Sequence, residues 1–247
     1  MSIASRKERE KEQRRNDILQ AAEKLFFAWG YDNVTMDDIA KAVELNKATI
    51  YLYYLDKETL YFSIVLKGVR LLSEMVIEKE SKAKTGFDKL WEIGHAYFSF
   101  AKKYPDYNRA YAYYCSGRFD LEGQSYTETL ESAMLGGLTS GPMFWKSVDS
   151  AAHRSGNEVV KQIIALNQGI FRLMCDAIRR GIDEGALRKD LDPEEAAIVF
   201  TLLLESVPRM RPDLAKVLEA KGRDQVQFSR DIGEFMGFML KSKEKKR

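Results

Sequence analysis

The sequence predicts an all-α protein built from two domains. Its 247 residues include five prolines and sixteen glycines, too few for a turn-rich β architecture. Apolar residues recur at spacings of three and four along most of the chain, and no segment shows a convincing strand-like alternation. Hydrophobic residues make up 45% and charged residues 31%, a balance typical of soluble globular proteins.

The first helix carries a single apolar stripe, and a glycine marks its end. Gly30 follows the last periodic residues, and glycine suits the left-handed backbone that terminates many helices. Thr35 then opens a second helix, and Asp38 three residues later completes a relative of the capping box. The apolar stripe of the first helix consists of Ile18, Leu19, Ala22, Leu25 and Phe26.

A third and a fourth helix follow at once. Asn46 caps a short helix that begins at Lys47, and only the segment AVEL separates it from the second helix, so we expect the two to cross sharply. Asp56 caps a fourth helix that begins at Lys57. Short helices with a tight turn before the third are typical of a helix-turn-helix unit.

The third helix is unusually rich in aromatic hydroxyl groups. Ile50 and Tyr54 lie four residues apart and are expected to pack inward, whereas Tyr51 and the Thr49–Tyr53 pair point outward. One interpretation is an ordinary exposed surface. The other is contact with phosphates and base edges, because hydroxyl and ammonium groups bind both and the helix N-terminus adds partial positive charge.

Residues 14–65 resemble the TetR family of transcriptional regulators. The stretches ILQAAEKLFFAWGYDNVTMDDIA, NKATIY and DKETL stand in the family's order and spacing, with the aromatic pair Tyr53–Tyr54 between the last two. The resemblance implies that Thr35 and Lys57 contact phosphates and that the third helix reads the major groove of double-stranded DNA. The residues expected to bind DNA are Thr35, Lys47, Ala48, Thr49, Tyr51, Leu52, Tyr53 and Lys57.

Three positions depart from the family's usual pattern. Glu44 stands in the turn where glycine is common, so the turn either holds a non-glycine residue in a left-handed conformation, at about 1 kcal/mol, or changes its geometry. Tyr53 replaces the usual histidine, and Leu52 is expected to point outward, where it would meet a thymine methyl group. These changes leave the operator sequence unpredicted.

The expected domains are a helix-turn-helix DNA-binding domain at residues 1–60 and a larger helical effector-binding and dimerisation domain at 61–247. Two aromatic stripes flank Pro105, each with the spacing i, i+4, i+7: Trp91, His95 and Phe98 before it, and Tyr107, Tyr111 and Tyr114 after it. They form either a plain core or the wall of an effector pocket, and the walls of such pockets are mostly apolar. The family resemblance favours the pocket. The expected ligand-binding residues are Trp91, His95, Phe98, Tyr107, Tyr111, Tyr114, Met134, Phe144, Trp145, Phe171 and Met174.

Two later helices, in residues 158–181 and 192–207, are apolar on more than one face. Such helices must be covered on several sides, which indicates a partner surface, and the resemblance implies a homodimer. Two recognition helices about 34–36 Å apart would then reach successive major grooves of a palindromic operator. The expected dimerisation residues are Ile163, Ile170, Met174, Ile178, Ile198 and Leu202.

The function expected from these observations is a homodimeric repressor that leaves its operator when a small apolar or aromatic effector binds. An alternative is a DNA-bound factor that recruits another protein and has no effector. An enzyme is disfavoured, because the sequence has no nucleophile elbow, phosphate loop or metal-ligand spacing and only two histidines. We therefore expect no cofactor and no metal.

Charge, cysteine content and hydropathy indicate the kind of partner and the cellular location to expect. Residues 1–15 contain six Lys/Arg and three Glu, a net charge of +3, which indicates a solvated tail or, less commonly, an arm that seeks phosphates. Cys115 and Cys175 show no CxxC spacing, so neither a disulfide framework nor a zinc site is expected. No apolar run is long enough to span a membrane or resembles a signal peptide, and a cytoplasmic location is expected.

Overall fold

The structure, a computed structural model, describes residues 3–116, 118–119 and 158–241. Apart from turns, one short 3-10 helix at Val207–Arg209 and an isolated antiparallel bridge between Leu187 and Lys241, these residues are α-helical. The predicted all-α fold is therefore confirmed. The helices are α1 (Ile3–Trp29), α2 (Met36–Ala42), α3 (Lys47–Tyr51), α4 (Lys57–Glu80), α5 (Gly86–Lys103), α6 (Pro105–Tyr114), α7 (Glu158–Asp183), α8 (Pro193–Ser206), α9 (Pro212–Ala220) and α10 (Gln225–Leu240).

The predicted helix ends are formed by the residues that the sequence indicated. Gly30 ends α1 with a φ of 78°. Thr35 and Asp38 form a complete capping box, in which the Asp38 amide donates to Thr35 Oγ1 at 3.2 Å and the Thr35 amide donates to Asp38 Oδ2 at 2.9 Å. At the start of α3, Asn46 Oδ1 accepts the Thr49 amide at 2.7 Å. Local side-chain chemistry therefore sets these boundaries.

The described residues group into two compact units. The first contains residues up to Gly68 together with the described part of Asp106–Ile164, and the second contains Val69–Pro105 and the residues from Ala165 onward. Helix α4 contributes to both units. The contacts thus group α6 with the N-terminal helices, whereas the predicted division at residue 60 placed it in the second domain. The division into functional domains stays a prediction.

In the first unit, an aromatic cluster joins α6 to the N-terminal helices. Tyr61 lies at the centre of this cluster, with its ring centroid 4.9 Å from that of Tyr31 and 5.3 Å from that of Phe26. Its hydroxyl donates to the Ala110 carbonyl of α6 at 3.1 Å. Burial raises the pKa of Tyr31 to about 12. The rings of Phe26, Tyr31 and Tyr61 therefore pack together in an aromatic core.

In the second unit, glycines let helices approach closely. A Cβ on Gly86, at the start of α5, would lie 2.2 Å from the Gly181 nitrogen and 2.4 Å from the Ala177 oxygen of α7. The Gly86 amide also donates to Glu184 Oε2 at 2.8 Å. Helix α10 packs on α5 through Gly233, where a Cβ would lie 2.3 Å from the Trp91 ring. These contacts position the inner face of α5.

Candidate nucleic-acid interface and ligand cavity

Helix α3 has one buried side and one exposed side. Ile50 is fully buried and Tyr54 is 2% exposed, so both pack inward as predicted. On the opposite side Tyr51 is 45% exposed and Leu52 is 80% exposed. The helix is thus held by two buried side chains and presents its remaining aromatic and apolar surface to solvent.

The turn before α3 holds a non-glycine residue in the left-handed region. Glu44 has a φ of 54°, while its amide donates to the Lys41 carbonyl at 3.2 Å and the Leu45 amide donates to the Ala40 carbonyl at 2.9 Å. Of the two alternatives for this position, the structure shows the left-handed one. The hydrogen bonds of the turn therefore stabilise a backbone conformation that is unfavourable for a glutamate.

The two lysines expected to bind DNA, Lys47 and Lys57, have partners within the unit. Lys47 Nζ lies 2.9 Å from Asp37 Oδ2 of α2, and this hydrogen bond raises the pKa of the Lys47 amine. Lys57 Nζ lies 4.1 Å from the centroid of the Tyr31 ring, and burial lowers the pKa of Lys57.

The eight predicted DNA-binding residues all belong to the first unit and reach its surface. Thr49, Tyr53 and Lys57 are partly exposed. The others are exposed: Thr35, Lys47, Ala48, Tyr51 and Leu52. Their contact with DNA stays a prediction.

Arg15 fixes α1 to the end of α3, a role that the sequence did not indicate. Its guanidinium donates to the Tyr53 carbonyl at 3.2 Å and lies 4.7 Å from the centroid of the Tyr54 ring. The Tyr54 hydroxyl in turn donates to the Arg15 carbonyl at 3.3 Å. Only the position of Arg15 three residues before the buried Ile18 hinted that it faces α3.

Known proteins share this arrangement at the N-terminus. Residues 18–64, from the packed part of α1 into α4, match the family described as "Bacterial regulatory proteins, tetR family". This segment is of the TetR type. The resemblance carried by the motifs of α1 to α4 is thereby confirmed.

A curated relative aligns with only part of the chain. It is the "Biofilm operon icaADBC HTH-type negative transcriptional regulator IcaR" of Staphylococcus aureus strain Newman, 31% identical over 79 residues. The aligned segment covers 32% of this chain and 42% of IcaR, so the chain spans less than half of that relative.

Solved structures show that the TetR-type fold extends over most of the chain. A regulatory protein of the tetR family from Rhodococcus RHA1 superposes with a TM-score of 0.62 at 18% identity, covering 93% of this chain and 98% of its own. AibR, solved in complex with isovaleryl coenzyme A and operator DNA, superposes with a TM-score of 0.55 at 19% identity, covering 92% and 97%. These likenesses establish a helix-turn-helix domain followed by a larger helical domain.

The second unit contains a cavity of about 690 Å³. Three predicted ligand-binding residues of α5 line it, namely Trp91, His95 and Phe98. The rest of the wall includes Phe200 of α8 and Gly233 of α10, which are not among the predicted ligand-binding residues. Gly233 and Gly237, four residues apart in α10, were the available signal of a close helix contact.

The remaining predicted ligand-binding residues do not line this cavity. Tyr107 and Tyr114 are buried in the first unit and Tyr111 is half-buried there. Phe171 and Met174 belong to the second unit, where the Met174 sulfur accepts the Thr201 hydroxyl at 3.5 Å. The other three, Met134, Phe144 and Trp145, lie outside the described residues. The stripe on α6 thus forms core, as one of the two interpretations held.

A few polar groups interrupt the apolar wall of the cavity. His95 lies against Trp91, with ring centroids 5.1 Å apart, and burial lowers the pKa of its imidazole while Glu92 opposes that shift. Lys102 and Arg230 also line the cavity, and neither forms an ion pair with any residue in the described ranges. The cavity therefore combines apolar surface with hydrogen-bonding and cationic groups.

The predicted dimerisation residues fall into two classes. Four of them are at most 2% exposed and pack within the chain itself: Ile163, Ile170, Met174 and Ile178. Burial in the chain's own core accounts for their apolar character, so they offer no surface to a partner. Ile198 and Leu202 of α8 are exposed, together with the neighbouring Val199.

Two kinds of feature are missing from the part of the chain that the structure describes. That part holds no group of three or more His, Cys, Asp or Glu side chains arranged to bind a metal ion. It also contains no helix that combines the length and the apolar character needed to cross a membrane.

Proposed function

We propose that the protein is a homodimeric, sequence-specific DNA-binding transcriptional repressor. The observation that carries this proposal is α3, which is anchored by Ile50 and Tyr54 and presents Lys47 and Tyr51 to solvent within a TetR-family domain. The relative IcaR is a negative transcriptional regulator, and AibR was solved with operator DNA. The name of IcaR supports repression, and the AibR complex with operator DNA supports binding to an operator.

The proposal includes a small apolar or aromatic effector bound in the cavity of the second unit. The volume of about 690 Å³ falls within the range typical of small-molecule sites, and Trp91, His95 and Phe98 supply aromatic surface with a polar group. AibR was solved with isovaleryl coenzyme A, which supports ligand control in a protein of this fold. An effector that favours the DNA-free form would weaken operator binding, typically by about 1–3 kcal/mol.

The test of the DNA-binding role begins by selecting the operator from fragmented genomic DNA with the purified protein. The double variant Lys47→Ala/Tyr51→Ala is then compared with the wild type by footprinting and by anisotropy titration. We expect operator affinity to fall at least about 30-fold, because each specific contact contributes about 1–3 kcal/mol. Its oligomeric mass should not change.

The matched control is Lys24→Ala, which removes one exposed positive charge from α1 away from α3. It should keep nearly full operator affinity. An unchanged footprint for the double variant would contradict the assignment of α3. A screen of apolar carboxylates and aromatics by melting temperature tests the effector, and the complete lack of a shift would favour the protein-recruiting alternative.

A further inference from the structure

Helix α1 begins well before the segment that matches the TetR family. It starts at Ile3, whereas the family match starts at residue 18. Every side chain of residues 6–14 is exposed, and none of them is apolar. No hydrophobic face therefore anchors this part of the helix, and such short polar helices are only marginally stable in isolation. This part of the helix therefore has only polar and charged side chains with which to contact another molecule.

The positive charges of this extension are concentrated on one side. Lys7, Lys11 and Arg14 follow the spacing i, i+4, i+7, which places them within about 60° of one another around the helix axis. None of the three forms a hydrogen bond or ion pair with another residue of the described ranges. By contrast, Arg6 is paired with Glu10 at 2.8 Å. We call Lys7, Lys11 and Arg14 the basic stripe.

The basic stripe continues the line of the buried face of α1 toward the helix N-terminus. Ile18 follows Arg14 by four residues, so it continues the same line, and it is fully buried against the rest of the unit. Arg15, next to the stripe, contacts the Tyr53 carbonyl at the end of α3 at 3.2 Å. Lys7 lies eight residues before Arg15, or about 12 Å further along the helix axis. The stripe therefore runs outward from the point where α3 ends.

We propose that the basic stripe is a second DNA-binding surface, which contacts backbone phosphates beside the groove that α3 enters. This inference rests on the proposed DNA-binding function. The distance of about 12 Å along the axis from Arg15 to Lys7 is comparable to the width of the major groove, so the stripe is long enough to extend from α3 to the flanking phosphates. Lysine and arginine contacts of this kind add affinity and salt dependence without reading bases.

The test compares two variants with equal changes in charge. Lys7→Gln/Lys11→Gln removes two stripe lysines, and Arg6→Gln/Arg9→Gln removes two positive charges from another side of the same helix. Anisotropy titrations use a mixed-sequence 30-base-pair duplex at several KCl concentrations. We expect the stripe variant to lower the slope of log K against log salt by about 2 per chain, since each phosphate contact contributes about 0.9. The control variant should lower it by less than half as much.

Equal slopes for the two double variants would overturn the basic stripe as a DNA-binding surface. Deletion of residues 2–12 provides a second variant that leaves Arg15 and Ile18 in place, and it should reproduce the loss of salt dependence. If the deletion protein keeps the wild-type slope, the proposal also fails. A wild-type protein that binds no duplex at any salt concentration would instead contradict the proposed function itself.

Discussion

Glu44 shows how a single residue holds a strained position in the turn that aims α3. Its φ of 54° places the backbone in the left-handed region, where the Cβ lies too close to the following carbonyl oxygen. Glycine has no Cβ and adopts this conformation without that cost. The following hydrogen bond, from the Leu45 amide to the Ala40 carbonyl at 2.9 Å, keeps the chain in this geometry. The turn is thus maintained by its neighbours at a conformational cost to Glu44.

Replacing Glu44 with glycine should stabilise the protein. We expect the Glu44→Gly variant to raise the free energy of unfolding by about 0.5–1 kcal/mol, because relief of the left-handed strain exceeds the added entropy of the unfolded chain. Urea denaturation measures the change. The matched variant is Gly30→Ala, at a φ of 78° with no atom within 4 Å of the added Cβ, which should destabilise by a similar amount. A destabilised Glu44→Gly protein would show that the Glu44 side chain contributes more than the strain removes.

For single residues, the sequence predicts those roles that depend only on nearby positions in the chain. The capping roles of Thr35 and Asn46 depend on atoms three positions away, and both were correctly predicted. The pairing of Lys47 with Asp37 spans ten residues and a helix crossing, so no local pattern reveals it. The contact of Lys57 with the ring of Tyr31 joins residues that are still further apart in the chain.

Among the helices, the crossing of α5 and α7 depends on the lack of a side chain. The space at Gly86 is filled by backbone atoms of Ala177 and Gly181, which cannot move aside as a flexible side chain would. Gly169 lies in the same helix as those two residues but has nothing within 4 Å of a Cβ. Gly86 and Gly169 therefore allow a direct comparison of a crowded and an open glycine.

Adding one methyl group should have opposite effects at these two positions. We expect Gly86→Ala to lower the free energy of unfolding by about 1–3 kcal/mol through overpacking. Gly169→Ala should raise it by about 0.5–1 kcal/mol, because alanine favours the interior of a helix. Thermal and urea denaturation measure both. Similar effects of the two variants would mean that α5 and α7 do not approach as closely as described.

Helical periodicity predicts that a helix has an apolar face but not what covers that face. The stripe on α5 and the stripe on α6 have the same spacing, yet Trp91 lines the cavity whereas Tyr114 packs in the aromatic core of the first unit. The wall formed by α8 and α10 comes from residues more than 100 positions away from Trp91. Such long-range pairing depends on tertiary packing and could not be predicted from one sequence.

For the whole molecule, the exposed side of α8 is the feature that bears on assembly. Phe200 and Leu204 are buried within the chain, while Ile198, Val199 and Leu202 form an exposed apolar face. The sequence predicts that this helix is covered on several sides, and the described part of the chain covers only the side of Phe200 and Leu204. The exposed apolar side is therefore available to a partner. The proposed homodimer uses this face.

A charge on α8 should dissociate the proposed dimer. We expect Leu202→Glu, at a position 59% exposed, to convert the protein to a monomer and to weaken operator binding, because two half-sites are no longer engaged together. Light scattering coupled to size exclusion measures the mass. The control Leu214→Glu changes an equally apolar residue, 48% exposed, on α9. A dimer that survives Leu202→Glu but not Leu214→Glu would move the interface to α9.

The contact between Trp91 and Gly233 has a further consequence, which is optical. An indole ring pressed against a helix backbone on one side and facing the cavity on the other changes its emission when the cavity fills. Trp29, the other tryptophan in the described ranges, is 56% exposed and already solvated. The chain thus carries its own spectroscopic reporter, so occupancy of the cavity is readable in unlabelled protein.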